Sequence, residues 1–223
     1  MKVSTLAVML AFLILLGSVI FVVSKPDNAT ANSVAPPSAK TGAPGEGTCV
    51  TCHTGTSGSG AAVMALYDFN PTYVGGQTDT LVIGIGAPGA TRWGFELTAL
   101  KNSDNSMAGT FAPTADSPTQ TGNTTSGGRI YHGHRSNGAI VPLDPSDGTE
   151  WGFPTGGWLV EWTPPPQGSG DVTFYLAAVA ADGNPLTSAG PTDTTYTTTY
   201  IVTEQAPSPV TTTTWGKIKT RFH

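Results

Sequence analysis

Hydrophobic and polar residues alternate with a period of two along much of the chain after residue 60, a pattern typical of half-buried β-strands. The clearest run is residues 92–100, in which Trp93, Phe95, Leu97 and Ala99 share one face. Further strand-like apolar runs occupy residues 62–67, 80–85, 158–162, 172–180 and 196–203, with Gly, Pro, Asn and Asp between them. No stretch after residue 25 has the 3.6-residue period of an amphipathic helix. The pattern predicts an all-β chain folded as an antiparallel β-sandwich of the Ig-like kind.

Three segments lack this alternation. Residues 25–47 are rich in Pro, Ala, Ser and Gly and are predicted to be a linker. Residues 103–157 are mostly polar and rich in Gly and Thr, which predicts a long loop of the kind that usually carries function. Residues 206–223 are predicted to be a C-terminal tail. The folded domain is therefore expected to span residues 48–205.

The N-terminus has the pattern of a targeting segment. Lys2 precedes an almost wholly apolar run over residues 6–23, and Ser24 offers a small residue for cleavage. The run is long for a signal peptide and nearly long enough to span a bilayer, so residues 1–24 are predicted to be a signal peptide or a retained N-terminal anchor. Either outcome predicts an extracytoplasmic protein, in the periplasm, at the cell surface or secreted. Attachment to a membrane would be through this segment.

The amino-acid composition agrees with an exported protein and argues against a nucleic-acid partner. Only 11% of the residues are charged, the formal net charge is −5, and 28 residues are Gly. Low charge with abundant Gly and Thr suits an extracellular β-rich protein. The few Lys and Arg residues form no basic stripe, so the sequence predicts no nucleic-acid partner.

The strongest chemical signal is the run Cys49-Val50-Thr51-Cys52-His53, which contains the only two cysteines of the chain. C-x-x-C-H is the attachment pattern of c-type haem. Two thiols at this spacing form thioethers with the two vinyl groups of one haem, and the adjacent His lies under the iron as its proximal ligand. The sequence therefore predicts one covalent haem c, held by Cys49 and Cys52 and ligated by His53.

Two other interpretations of the cysteines remain open. Cys49 and Cys52 can form a disulfide, although neither a strand before them nor a helix after them supports a thioredoxin-like site. Zinc is the second alternative, with both cysteines and two of His53, His132 and His134 as ligands. A His directly after the second Cys is not the usual zinc-finger spacing.

The second axial position of a haem iron needs a His or a Met, or stays open. The candidates are His132, His134 and Met107, all within the predicted loop. If residues 129–135 are extended, His132 and His134 lie on the same face. The residues alone do not choose among these candidates.

A resemblance to a known family bears on this choice. The runs at residues 41–55, 73–78, 92–100, 127–134, 162–164 and 170–175 resemble, in the same order, bacterial "choice-of-anchor V" proteins, which are related to the reeler (reelin-type) domain. The likeness covers about residues 41–205. It implies a reeler-like β-sandwich on an exported or surface-attached protein with a haem-type C-x-x-C-H. The family's G-R-x-Y-x-x-H stretch has its final His at His134, whereas His132 is additional.

These observations lead to one hypothesis and its rivals. The chain is expected to be an exported monohaem c-type cytochrome domain that exchanges electrons with an unidentified redox partner protein. His134 is the expected distal ligand, Arg129 the expected partner of a haem propionate, and Tyr131 an expected haem contact. The alternative is a non-redox surface or adhesion module with a Cys49–Cys52 disulfide. An enzyme with an open haem site is not favoured, because the chain has no nucleophile–base constellation.

Overall fold

The computed structural model describes residues 32, 34–53, 63–67, 70–116, 118–135, 155–183 and 193–206, and the backbone alone for 63–67 and 155. The predicted signal or anchor segment and C-terminal tail lie outside these residues. Within the described part, helical structure is confined to one 3₁₀ turn at Cys49–Thr51. None of the helical structure described is long and apolar enough to cross a membrane.

Ten strands make up the rest of the described fold. They are β1 (Val63–Tyr67), β2 (Thr72–Tyr73), β3 (Asp79–Gly86), β4 (Arg92–Lys101), β5 (Thr110–Pro113), β6 (Thr121–Ser126), β7 (Arg129–His134), β8 (Thr155–Thr163), β9 (Val172–Ala181) and β10 (Thr194–Glu204).

The strands form two sheets. One has four strands in the order β1-β3-β8-β5, and the other has six in the order β2-β10-β9-β4-β7-β6. Neighbouring strands are antiparallel except for the short β2–β10 pair, which is parallel. The predicted all-β, two-sheet sandwich is therefore confirmed.

The core lies between the two sheets. Trp93, Phe95, Leu97 and Ala99 of β4 are at most 6% exposed and belong to one apolar cluster with residues of the other sheet. Phe95 packs on Trp158 of β8, with ring centroids 4.8 Å apart. Alternate residues of a strand point to opposite faces, so the two-residue apolar period is what supplies this inner surface.

All six predicted strand segments are confirmed, as β1, β3, β4, β8, β9 and β10. The predicted loop 103–157 is partly wrong, because it contains β5, β6, β7 and the first three residues of β8. β6 has the sequence Thr-Gly-Asn-Thr-Thr-Ser and is the edge strand of its sheet, with much of its surface exposed. An exposed edge strand has no apolar face to bury, so the alternation used for prediction was absent there.

The outer face of the six-stranded sheet is covered by the segment 34–53. The residues of β4 between Trp93 and Leu100 are buried on both sides of the sheet. Lys40 donates its backbone N–H to Glu96 of β4, and Ser38 donates its hydroxyl to Thr124 of β6. Thr41 is fully buried and Ala43 is 2% exposed. Most of the predicted linker that the structure describes therefore packs against the sheet.

Candidate functional site

The cysteine motif forms a single tight turn. The carbonyl oxygen of Cys49 accepts hydrogen bonds from the N–H of Cys52, at 3.1 Å, and of His53, at 2.9 Å. The turn lies against β9 and β10 on the outer face of the six-stranded sheet. Because these bonds close the backbone around Cys49, both cysteines and His53 belong to one short turn.

Both thiols are free in the structure. Burial, and next the negative charge of Glu96, raise the pKa of the Cys49 thiol to about 12. A thiol with so high a pKa stays protonated at neutral pH and is a weak nucleophile for disulfide exchange. Among the described residues, no group of three or more His, Cys, Asp or Glu side chains is arranged to hold a metal ion.

The imidazole of His53 is held by a carboxylate far away in the sequence. Its Nδ1 lies 2.9 Å from Oδ2 of Asp193, the residue immediately before β10. The side chains are 17% and 9% exposed, respectively. Oδ1 of Asp193 in turn lies 3.4 Å from the backbone N–H of Asp182, which follows β9. With Nδ1 engaged in this way, Nε2 is the nitrogen of His53 left for a metal.

His134, the last residue of β7, places its ring against the backbone of β4. Its Nδ1 lies 3.2 Å from the backbone nitrogen of Phe95 and 3.3 Å from its carbonyl oxygen. The ring also lies over Gly94, where a Cβ would come within 2.7 Å of Cε1 of the imidazole. Any larger residue at position 94 would therefore displace the ring.

Burial holds the pKa of His134 below its ordinary value, and the charges of Arg135 and His53 lower it further. The imidazole is consequently neutral at physiological pH, the form that binds a metal. The electrostatic influence of His53 on His134 also indicates that the two rings lie in the same part of the molecule.

Strand topology explains why His53 and His134 share one region. β4 begins at Arg92, opposite Ala181 at the end of β9, and β10 begins at Thr194, opposite Ala180. β7 ends at His134, beside Phe95. The start of β4, the end of β9, the start of β10 and the end of β7 therefore meet at one end of the six-stranded sheet. The folding of the sheet, and not proximity in sequence, brings these side chains together.

His132 occupies a different environment. It pairs with Leu97 in the ladder, is fully buried, and packs between Phe95 and Phe111 in the core between the sheets. Its Nδ1 lies 2.7 Å from Oδ1 of Asn123, whereas Nε2 has no hydrogen-bond partner among the described residues. Burial, with the charge of Arg135, lowers the pKa of His132 to about 4. This His is a neutral core residue.

Met107 lies beside the other half of β4. It forms an isolated bridge with Leu100, and its sulfur lies 3.8 Å from Oγ1 of Thr98 and 3.5 Å from the backbone nitrogen of Ile130. Thr98 is four residues along the strand from Gly94, a separation of about 13 Å at the usual strand rise. Met107 is thus remote from the end of the sheet that holds His134.

Arg129 and Tyr131, expected as haem contacts, share a carboxylate of the covering segment. Oε1 of Glu46 accepts a hydrogen bond from Nη1 of Arg129 at 2.6 Å and another from the hydroxyl of Tyr131 at 2.7 Å. Nη1 of Arg129 also donates to the carbonyl oxygen of Pro44. These contacts hold the covering segment against β7, and a role of either residue at a haem stays a prediction.

A second carboxylate lies beneath the covering segment. Glu96 is 1% exposed, and its Oε2 accepts the backbone N–H of Lys40 at 2.7 Å. Oε1 has no hydrogen-bond partner among the residues that the structure describes. Burial raises the pKa of Glu96 to about 7, and the charge of Glu46 adds to the effect. A Glu inside an otherwise apolar strand was the sequence signal for this buried group.

This arrangement has the donor set that a covalent haem requires. Two free cysteines belong to one turn, and the adjacent His53 has its Nδ1 held by a carboxylate. A second neutral imidazole, that of His134, lies at the same end of the sheet. Sequence reasoning missed Asp193, because it is 140 residues from His53 and nothing local marks it.

Comparison with known proteins gives a likeness of fold. No protein-family profile and no curated protein sequence matches the chain. The reelin-N domain of F-spondin is similar at 18% identity, covering 70% of this chain and 95% of that one, with a TM-score of 0.41. The human F-spondin reeler domain (fragment 1) is similar at 18% identity, covering 69% and 95%, with a TM-score of 0.40.

A third similar structure is that of AvmM, which catalyses macrocyclization in alchivemycin A biosynthesis. It is 10% identical, covers 68% of this chain and 93% of AvmM, and has a TM-score of 0.39. Likenesses at this level carry no conclusion about ligand or activity. The chain is an all-β two-sheet sandwich, and its resemblance to the F-spondin reeler domains is one of fold alone.

Proposed function

We propose that the chain is an exported monohaem c-type cytochrome domain that serves extracytoplasmic electron transfer. Cys49 and Cys52 are the attachment residues, His53 is the proximal ligand and His134 is the distal ligand. A haem supplies a one-electron Fe(III)/Fe(II) couple, which a chain of ordinary side chains lacks. The reeler-like sandwich acts as the scaffold and, as in the choice-of-anchor resemblance, works outside the cytoplasm.

The observation that carries this proposal is the contact between Nδ1 of His53 and the Asp193 carboxylate. A His that binds a metal through one ring nitrogen nearly always donates the N–H of the other to a carboxylate, a carbonyl oxygen or water. A disulfide module has no need of such a partner for the residue after its second Cys. Both thiols are unbridged in the structure, as thioether attachment requires.

The distal assignment to His134 is supported by its position. Its Nδ1 lies 3.2 Å from the backbone nitrogen of Phe95 and 3.3 Å from its carbonyl oxygen. With the proton on Nδ1, the carbonyl oxygen is the acceptor and Nε2 is left for a metal. His132 lies in the closed core, and Met107 lies beside the far half of β4. His134 is the candidate at the same end of the sheet as Asp193, the partner of His53.

The test is the mass and visible spectrum of the full chain, produced in a bacterial host that matures c-type cytochromes. Attachment of one haem through two thioethers adds about 616 Da to the mature polypeptide. The Cys49→Ala/Cys52→Ala double variant is the matched control and should carry no covalent haem. A wild-type mass about 2 Da below that of the reduced polypeptide, without haem absorbance, would mean a disulfide and would refute the proposal.

A further inference from the structure

A carboxylate held against the proximal ligand has consequences for the iron site. Asp193 is the only side chain for which a hydrogen bond to His53 is recorded in the described part of the structure, at 2.9 Å from Nδ1. Asp193 is itself largely buried, with 9% of its side chain exposed. A contact shielded from water is weakened little by solvent, so its effect on the imidazole persists at physiological ionic strength.

We infer that Asp193 is the positioning residue of the proximal ligand, fixing the His53 ring with Nε2 directed to the iron and strengthening electron donation from that nitrogen. The inference rests on the proposed function. Asp193 lies outside the C-x-x-C-H motif. The inference gives it a role in setting the reduction potential of the iron.

The tautomer follows from the chemistry of the pair. A carboxylate accepts hydrogen bonds and donates none, so in a neutral imidazole the proton lies on Nδ1 and the lone pair on Nε2. The other tautomer would place the Nδ1 lone pair against the carboxylate oxygens, which repel it. Asp193 therefore selects the tautomer in which Nε2 can bind a metal.

The same hydrogen bond also affects how strongly Nε2 of His53 donates electrons to a bound iron. With a haem bound, negative charge drawn from the carboxylate through Nδ1–H would increase electron donation from Nε2, which would favour Fe(III) over Fe(II). The couple exchanges one electron with the redox partner protein, and no bond of the chain forms or breaks. The reduction potential of the iron is therefore expected to be lower with the Asp193 hydrogen bond than with the two imidazoles alone.

The position of Asp193 follows from the pairing of β9 and β10. It lies at the junction of the end of β9 and the start of β10, with Oδ1 facing the N–H of Asp182 at 3.4 Å. The two strands pair over nine residues, from Thr194↔Ala180 to Val202↔Val172. Asp193 thus directly precedes a long ladder, and the cysteine turn packs on the same two strands.

The first experiment compares the haem-loaded Asp193→Asn protein with wild type and with Asp171→Asn. Asp171 lies at the opposite end of β9 and is exposed, so the control makes the same change in charge far from His53. Asp193→Asn should attach haem and shift the midpoint potential to more positive values, beyond any shift of the control. Asp193→Glu, which keeps the charge, should lie closer to wild type.

Two outcomes would overturn the inference. Potentials of Asp193→Asn and Asp171→Asn that both equal the wild-type value would leave Asp193 with a structural role. Equal shifts in the Asn and Glu variants would show that charge on the carboxylate is not the operative property.

The second experiment separates this inference from the proposed function. The full chain is made without haem and labelled with ¹⁵N, and long-range ¹H–¹⁵N spectra report the His53 tautomer at neutral pH. The Nδ1–H form is expected in wild type, and a mixture richer in Nε2–H in Asp193→Asn. If wild type acquires no haem in a host that matures c-type cytochromes, the proposed function fails. The tautomer measurement still tests whether Asp193 pairs with Nδ1–H of His53. A wild-type His53 in the Nε2–H form would overturn the inference even if haem is attached.

Discussion

At the scale of single residues, the two imidazoles of β7 are separated by one glycine but occupy different environments. His132 is fully buried between Phe95 and Phe111, and His134 lies over Gly94 at the end of the strand. Both are close in sequence and both have a lowered pKa, so neither property distinguishes them. The difference lies in what each ring contacts.

This difference yields a paired mutational prediction. His134→Ala should retain covalent haem but convert the iron to a high-spin state that binds cyanide or carbon monoxide, because its distal ligand is gone. His132→Ala should leave the visible spectrum unchanged while lowering the free energy of unfolding by about 2–4 kcal/mol, the usual cost of emptying a buried site. Absorption spectra and urea unfolding of the haem-loaded variants measure both effects.

The reverse pattern would identify His132 as the ligand. If neither variant altered the iron, Met107 would become the candidate. Wild type would then show the weak near-infrared band of a Met–iron bond, near about 700 nm.

Glu96 gives the second residue-level prediction, on pH. Its pKa is about 7 in the folded chain against an ordinary value of 4.5, so the folded state binds the proton more tightly than the unfolded state. The unfolded chain loses this proton near its ordinary pKa while the folded chain retains it. Stability should therefore fall as the pH rises from about 4.5 to 7, by up to about 3 kcal/mol, and level off above pH 7.

Glu96→Gln removes this titration and should flatten that part of the pH dependence. The free energy of unfolding, obtained from urea unfolding of wild type and Glu96→Gln at about pH 5 and about pH 8, measures this pH dependence. Glu161→Gln, the same change at a partly exposed position of β8, should leave the slope in place. If the free energy of unfolding of Glu96→Gln changed with pH as steeply as that of wild type, the pH dependence would belong to other groups.

At the scale of elements, the covering segment 34–53 connects the cysteine turn to the sheet. Glu46 is the centre of this attachment, since its two oxygens accept hydrogen bonds from Thr41, Arg129 and Tyr131 at 2.6–2.7 Å. The side chain of Glu46 is only 3% exposed. Removal of this carboxylate takes an acceptor from Thr41 within the segment and from Arg129 and Tyr131 of β7.

Glu46→Ala should therefore lower the free energy of unfolding by about 2–4 kcal/mol, because a partly buried Arg loses its charged partner. Hydrogen exchange should become faster in residues 34–53 and stay slow in β4 and β9, whose ladder does not involve Glu46. Glu46→Gln retains an acceptor and should cost less. Uniformly faster exchange over the whole sandwich would mean that the segment and the sheets unfold as one unit.

Prediction from sequence succeeded for elements that bury an apolar face. Trp93, Phe95, Leu97 and Ala99 alternate with residues of the outer face, and β4 is present as expected. It failed for β6 and for the short strand β5, because an exposed edge strand needs no alternation. It also did not anticipate that much of the Pro-rich segment before Cys49 packs on the sheet, since Thr41 and Ala43 are buried by contacts with distant strands.

At the scale of the whole molecule, the far-UV circular dichroism of the mature chain should be that of a β-protein. The described residues form two sheets with a single 3₁₀ turn, and the apolar segment 1–24 is expected to be removed or held in a membrane. A mature soluble form with a helix-dominated spectrum would contradict the sandwich. Haem-free and haem-loaded forms should share this signature, because the core between the sheets does not include the cysteine turn.

The sequence by itself determined the local properties of this protein: which runs can be core strands, and which five residues have the spacing of a haem-attachment motif. Those properties depend on neighbours along the chain, through side-chain alternation and through the spacing of two thiols. The tertiary structure alone decided that Asp193 meets His53, that His134 lies at their end of the sheet, and that His132 lies in the core. These relations arise from pairing between strands far apart in the chain, and side-chain periodicity carries no information about which strands pair.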